Sequence, residues 1–171
     1  MFKFAVRLNK IKPEISRTVY IPEDFKFSDL DSVLRRVFGL SYFHLSKFTF
    51  SGLNAPLWDF DKTYPDEMAM DMNDIPIGDY INLFRKFSWT YDLNKSYIFT
   101  VYVRKADKKF NTDYPFVESF KGDYNPLEDC HPSDFEIMYY CTLNNIEFPD
   151  FLPDFEMEKF NLDEVNDKLK K

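Results

Sequence analysis

Apolar and polar residues alternate at the start of the chain, with Phe2, Phe4, Val6 and Leu8 on one side and Lys3, Ala5 and Arg7 on the other. A period of two is the pattern of a half-buried strand. Asn9 to Pro13 reads as a turn, and Ile15 to Ile21 resumes as a second strand that stops at Pro22. Two such runs around a short turn are expected to pair antiparallel. The period then lengthens. Leu30, Val33, Leu34, Val37 and Phe38 fall on one helical face, Ser28 and Asp31 have capping-box spacing, and Gly39 supplies a stop. Together these predict a capped helix over 29–38.

Beyond it, His44 to Ser51 reads as a third strand, Gly52 to Asp74 as a long loop and Ile75 to Phe84 as a short helix. Ser88 to Leu93, a turn at Asn94 to Ser96, and Tyr97 to Arg104 form a hairpin rich in β-branched and aromatic residues, which suits a central position in a sheet. Lys105 to Asp113 is a charged loop. Tyr114 to Glu136 has no clean period. Its first half, to Asn125, is expected to lie extended across the sheet, and Pro126 onward to turn into a helix capped by Ser133 and Glu136. That helix would bury Phe135, Met138, Tyr139 and Leu143, and a last helix starts near Leu162. The predicted architecture is α+β: one domain over residues 1–171, a mainly antiparallel sheet of about five strands, packed with the capped helix after strand 2 and with C-terminal helices.

Composition adds two points. Aromatics make up 19% of the chain, with 20 Phe and 11 Tyr, so the core is expected to be filled by phenylalanine; an exposed aromatic surface for partner contact is the other use of such a surplus. The net charge of −7 is uneven: residues 1–36 sum to about +3, and residues 111–171 to about −10. Affinity for a phosphate backbone rests on clustered Lys and Arg, so nucleic acid is not expected as a partner, although the N-terminal third could supply a local basic face. Cys130 and Cys141 make neither a CxxC nor a secreted framework. No apolar stretch has signal-peptide or membrane-spanning length. A cytoplasmic protein with reduced thiols is expected.

The four glycines are too far apart for a phosphate-cradling loop, and no G-x-S-x-G occurs. With two cysteines and two histidines and no paired spacing, a structural zinc site is not expected, and neither is a cofactor. The chemistry-bearing residues that remain are His44, Asp92 and the run Glu128, Asp129, Cys130, His131. Asp92, Glu128 and Asp129 could ligate a divalent cation through oxygen or act as acid and base, with His44 or Cys130 assisting. The ordinary reading has Asp92 capping a turn, Asp129 and Asp134 capping turns or helices, Cys130 packing as a small apolar residue and His131 exposed.

Several motifs, in order, give the chain a resemblance. They are the opening VRLNKIKPEISRTVYIPEDFKFSDLDSVLRRVFGL, HLSKF at His44 to Phe48, Tyr91-Asp92 in the hairpin, Pro126 to Cys130 (PLEDC), and Phe160 to Asn166 (FNLDEVN). This set resembles the plasmid pRiA4b ORF-3-like family, small α+β proteins associated with plasmids and mobile elements. The resemblance implies a fold and a neighbourhood that pairs the acidic run with Asp92 and His44, and no reaction. Positions where the family carries a second histidine, a Gly-Asp pair, a strand histidine and a further cysteine hold Ser46, Asn94-Lys95, Phe99 and Asn125. The first functional expectation is therefore a non-catalytic binding module with a protein partner. The alternative is a metal-dependent hydrolase using Asp92, Glu128 and Asp129, and a third reading is a DNA-associated accessory of a mobile element.

Overall fold

A computed structural model describes residues 1–53, 56–58, 70–106, 112–153 and 155–171. The two opening period-two runs form β1 (Phe2–Leu8) and β2 (Ser16–Ile21), antiparallel, with Phe4 opposite Val19. The third predicted strand is β3 (Ser46–Thr49), and the hairpin is β6 (Lys86–Tyr91) and β7 (Tyr97–Arg104). Two short strands, β4 (Leu57–Trp58) and β5 (Met70–Asp71), fall within the loop expected over 52–74, of which 54–55 and 59–69 lie outside the described residues. One further strand, β8 (Phe116–Lys121), falls in the segment expected to cross the sheet. It instead joins the edge by pairing with β2. The order is β5–β4–β3–β6–β7–β1–β2–β8, antiparallel except between β4 and β5.

The helices are α1 (Phe27–Phe38), α2 (Gly78–Ile81), α3 (Pro132–Asn144) and α4 (Leu162–Leu169). Helix α1 starts earlier than the Ser28 cap predicts. The Lys26 amide donates to Asp29 Oδ2 at 2.8 Å, while Asp31 is drawn into the core. Gly39 ends the helix in the left-handed region, φ 67°, and a Cβ there would stand 2.9 Å from Asn125 Nδ2, so the position favours glycine twice over. Helix α3 is also capped differently from the Ser133–Glu136 expectation: His131 Nδ1 accepts from the Ser133 amide at 3.3 Å. Leu143, expected on the buried face, is exposed.

The core lies between the helices and one face of the sheet. Phe4, Val6, Phe48, Phe87, Trp89, Phe99 and Val101 point into it and meet Phe27, Leu30, Leu34 and Phe38 of α1. It is largely aromatic: the Phe27 ring lies within 5.1–5.8 Å of those of Phe48, Phe50, Tyr80 and Phe87. Each such ring stabilises the fold by about 1.5–3 kcal/mol through burial. At the β8 end, the buried Arg17 stacks on Phe160 at 3.9 Å, flanked by Phe38 and Phe120, and donates to the Lys121 carbonyl at 2.6 Å. Asn166 of α4 reaches β8: its Oδ1 accepts from the Val117 amide at 2.7 Å and its Nδ2 donates to the Val117 carbonyl at 3.0 Å. Among the described residues no helix is long and apolar enough to cross a membrane.

Candidate functional site

The hairpin between β6 and β7 builds one wall of the site. Asp92 follows β6 with φ 53°. Its Oδ1 accepts the amides of Asn94 (3.1 Å) and Lys95 (3.3 Å), and its carbonyl accepts that of Ser96 at 2.6 Å. Asp92 is therefore the turn-capping residue of the ordinary reading, in a left-handed conformation that aspartate tolerates better than most residues. Its own amide donates to the Leu45 carbonyl at 3.0 Å, fastening the turn to the loop that precedes β3.

That loop carries His44. Its Nδ1 stands 3.7 Å from Asp92 Oδ2 and its Nε2 3.2 Å from Asp129 Oδ1, with the ring edge-on to Tyr91. Asp129 lies in the tight turn before α3, again left-handed (φ 62°), and Lys95 Nζ donates to its carbonyl and stands 3.5 Å from Oδ1. Three of the predicted residues, His44, Asp92 and Asp129, therefore meet. The neighbouring Glu128 points elsewhere. Its Oε1 accepts from the Ser41 amide at 3.1 Å, from Ser41 Oγ at 2.6 Å and from Tyr91 Oη. Cys130 turns into the core; burial, and then Asp134, push its thiol up, opposed in part by Lys95. His131 is exposed and caps α3. Among the described residues, no three His, Cys, Asp or Glu side chains are grouped to hold a metal ion.

Beneath the loop lies a buried network that the sequence reading passed over. Asp31 Oδ2 accepts from Arg35 Nε at 2.6 Å, and its Oδ1 accepts from Ser46 Oγ at 2.6 Å and from Trp89 Nε1 at 2.7 Å. Arg35 in turn donates to the carbonyls of Ser41 (2.6 Å) and His44 (2.9 Å) and to Ser46 Oγ (2.9 Å). Asp31, Arg35 and Ser46 are no more than 4% exposed. The signal was present in the sequence: Asp31 and Arg35 are four apart and each follows a core leucine of α1, so both sit inside the buried arc, where charges are paired. The loop held in this way presents Tyr42, Phe43 and Leu45 to solvent, Phe43 at 93% exposure.

A model of the family described as plasmid pRiA4b ORF-3-like protein matches residues 1–166. The chain belongs to this family. The plasmid pRiA4b ORF-3-like motifs now have positions: His44, Tyr91-Asp92 and Glu128-Asp129 converge around the 41–45 loop, Arg17 packs against Phe160, and Asn166 holds β8. Ser46, standing where the family has its second histidine, is a buried member of the Asp31 network. Phe99 and Asn125, two further departures, are buried as well. The crystal structure of a protein of unknown function, MM3350 from Methanosarcina mazei Go1, is similar over 96% of both chains, with a TM-score of 0.69 at 16% identity. That likeness extends to the fold. No curated protein matches the chain.

Chemically, the arrangement is a set of engaged groups. Each carboxylate already receives donors from backbone, serine, tyrosine, lysine or histidine. Cavities of about 470–630 Å³ among the described residues are lined by side chains other than His44, Asp92, Glu128, Asp129 and Cys130.

Proposed function

We propose that this protein is a non-catalytic binding module whose contact element is the 41–45 loop. One observation carries the reading: Phe43 is 93% exposed on a loop whose flanking carbonyls, Ser41 and His44, are both held by the buried Arg35. A mobile loop could fold an apolar ring back onto the surface. This one is braced, by Arg35 below and by Glu128, Asp92 and Asp129 at its sides. Aromatic anchors on rigid segments are the residues that dominate protein interfaces, because the ordering cost is met before binding. The partner this fits is a protein with an apolar pocket for the Phe43 ring. A metal-dependent hydrolase using Asp92, Glu128 and Asp129 is supported less well, since one oxygen of each carboxylate is already engaged by backbone or side-chain donors.

Replacing Phe43 with a photo-crosslinking phenylalanine in the expressing cell tests the reading, with Leu83, 75% exposed, as the control position. One discrete protein adduct from position 43, absent from position 83 and weakened by Arg35→Met, is the expected result. No adduct, or the same smear from both positions, would overturn it.

A further inference from the structure

The sheet face turned away from the helices has a different character from the rest of this acidic chain. Strand alternation puts Lys47 and Thr49 of β3, Lys86, Ser88 and Thr90 of β6, Ile98, Thr100, Tyr102 and Arg104 of β7, and Lys3, Ala5 and Arg7 of β1 on it. These four adjacent strands carry five cations there and no carboxylate. The register aligns them: Arg7, Thr100, Ser88 and Thr49 form one row, and Ala5, Tyr102 and Lys86 the next. A groove of about 500 Å³ follows these rows and extends to Asn9, Lys10 and Ser51. Lys3 is paired with Glu118. Among the described residues Arg7, Lys10, Lys86 and Arg104 have no carboxylate partner. The guanidiniums of Arg7 and Arg104 stand 5.8 and 5.2 Å from the Tyr102 ring centre.

We propose that this sheet face binds single-stranded nucleic acid, with phosphates against Arg7, Lys10, Lys86 and Arg104 and bases against the Tyr102 ring. Unpaired cations around an aromatic ring on an open surface are what a single strand needs: charge for the backbone, and flat groups for bases that a duplex would hide. Hydroxyls from Thr49 and Ser88 add phosphate donors along the same row. The chain's net charge of −7 does not oppose this, because a phosphate within a Debye length of about 8–10 Å responds to the local face. The expectation against nucleic acid averaged over surfaces that the fold keeps apart. This inference goes beyond the 41–45 loop and does not depend on it.

The test is fluorescence anisotropy with a labelled oligothymidylate about twenty nucleotides long, a size that spans a single-strand site of this kind. Four phosphate contacts predict a log–log salt slope of about −2.8, hence roughly 50-fold weaker binding at 200 mM NaCl than at 50 mM. Lys86→Glu or Arg104→Glu should weaken binding and reduce the slope by about 0.7 or more. Tyr102→Ala should cost at least about fivefold with the slope unchanged. Lys121→Glu makes the same charge change on the β8 edge, where Lys121 is 73% exposed, and should leave binding intact. The proposal is overturned by an absence of binding at 50 mM, by an equal loss in Lys121→Glu, by duplex binding as tightly as the single strand, or by polyglutamate displacing the oligonucleotide at equal charge. Melting curves of Lys86→Glu and Arg104→Glu, both exposed, keep a folding defect from passing for a binding one.

Discussion

Asp31→Asn changes one buried oxygen into an amide nitrogen and leaves the shape almost untouched. In the native protein that carboxylate accepts from Arg35, Ser46 and Trp89 at 2.6–2.7 Å, and Arg35 is 1% exposed. Without the carboxylate the guanidinium is a buried cation with no counter-charge among the described residues, and removing one partner of such a pair costs about 3–5 kcal/mol. At ~2.1 cal/mol/K of unfolding entropy per residue, the 171 residues correspond to ~0.36 kcal/mol/K, so Tm should fall by about 8–14 °C. Urea titrations of Asp31→Asn, Arg35→Met and the double variant measure the pair directly. Each single change should be severe, and the two should couple by about 2 kcal/mol, because the double variant buries no unpaired charge. Losses below about 1 kcal/mol, or additivity within ~0.5 kcal/mol, would show that the network is not what holds this end of the fold. Hydrogen exchange separates stability from bracing. Even where the double variant regains stability, the amides of 41–46 should exchange at least about tenfold faster, because Arg35 no longer holds the loop carbonyls.

Other consequences are equally concrete. Phe43→Ser should leave urea stability within about 0.5 kcal/mol of the parent, since the ring is 93% exposed; a larger loss would mean that the ring packs in the fold. Tyr97 donates to the Leu127 carbonyl at 3.0 Å, and burial, then Cys130, Asp134 and Asp92, raise its pKa well above 10. A phenol raised in the folded state contributes stability that is complete below the unfolded value of about 10 and is lost as pH rises beyond it. Tyr97→Phe should therefore flatten the alkaline decline between pH 10 and 11 in urea titrations, while Tyr139, also raised by burial and Asp123, keeps part of it. The Cys130 thiol, raised by burial first and Asp134 next, should react with a disulfide reagent at pH 8 far more slowly than a free thiol and at the free rate once urea unfolds the chain.

The fold was legible wherever one face of an element meets the core. β1, β2, β6 and β7 show period two because their alternate residues are buried, and α1 shows its apolar stripe for the same reason. β8 escaped because only one of its six residues, Val117, is buried, so an edge strand reads as a polar segment. The caps of α1 and α3 were misplaced by local rules, since Asp31 serves the core and His131 takes the position offered to Ser133. At the site, His44, Asp92 and Asp129 could be brought together only through the family resemblance; nothing local in the sequence joins segments so far apart. The Asp31–Arg35 pair is visible as two charges within an apolar arc, but capping-box spacing with Ser28 offers Asp31 a local role that competes with the buried one.

The clamp that Asn166 makes on Val117 has a consequence for how the molecule keeps to itself. β8 is the last strand on its side of the sheet, and an outermost strand is a template for another chain. The Asn166 amide offers one donor and one acceptor to Val117, the second residue of that strand, in place of the next backbone. It acts as a full stop to sheet growth, written with a single side chain. Asn166→Ala should accordingly declare itself in light scattering, as slow polymers seeded edge to edge, before it declares itself in any assay of binding, and monomers persisting at high concentration would show that the edge needs no such guard.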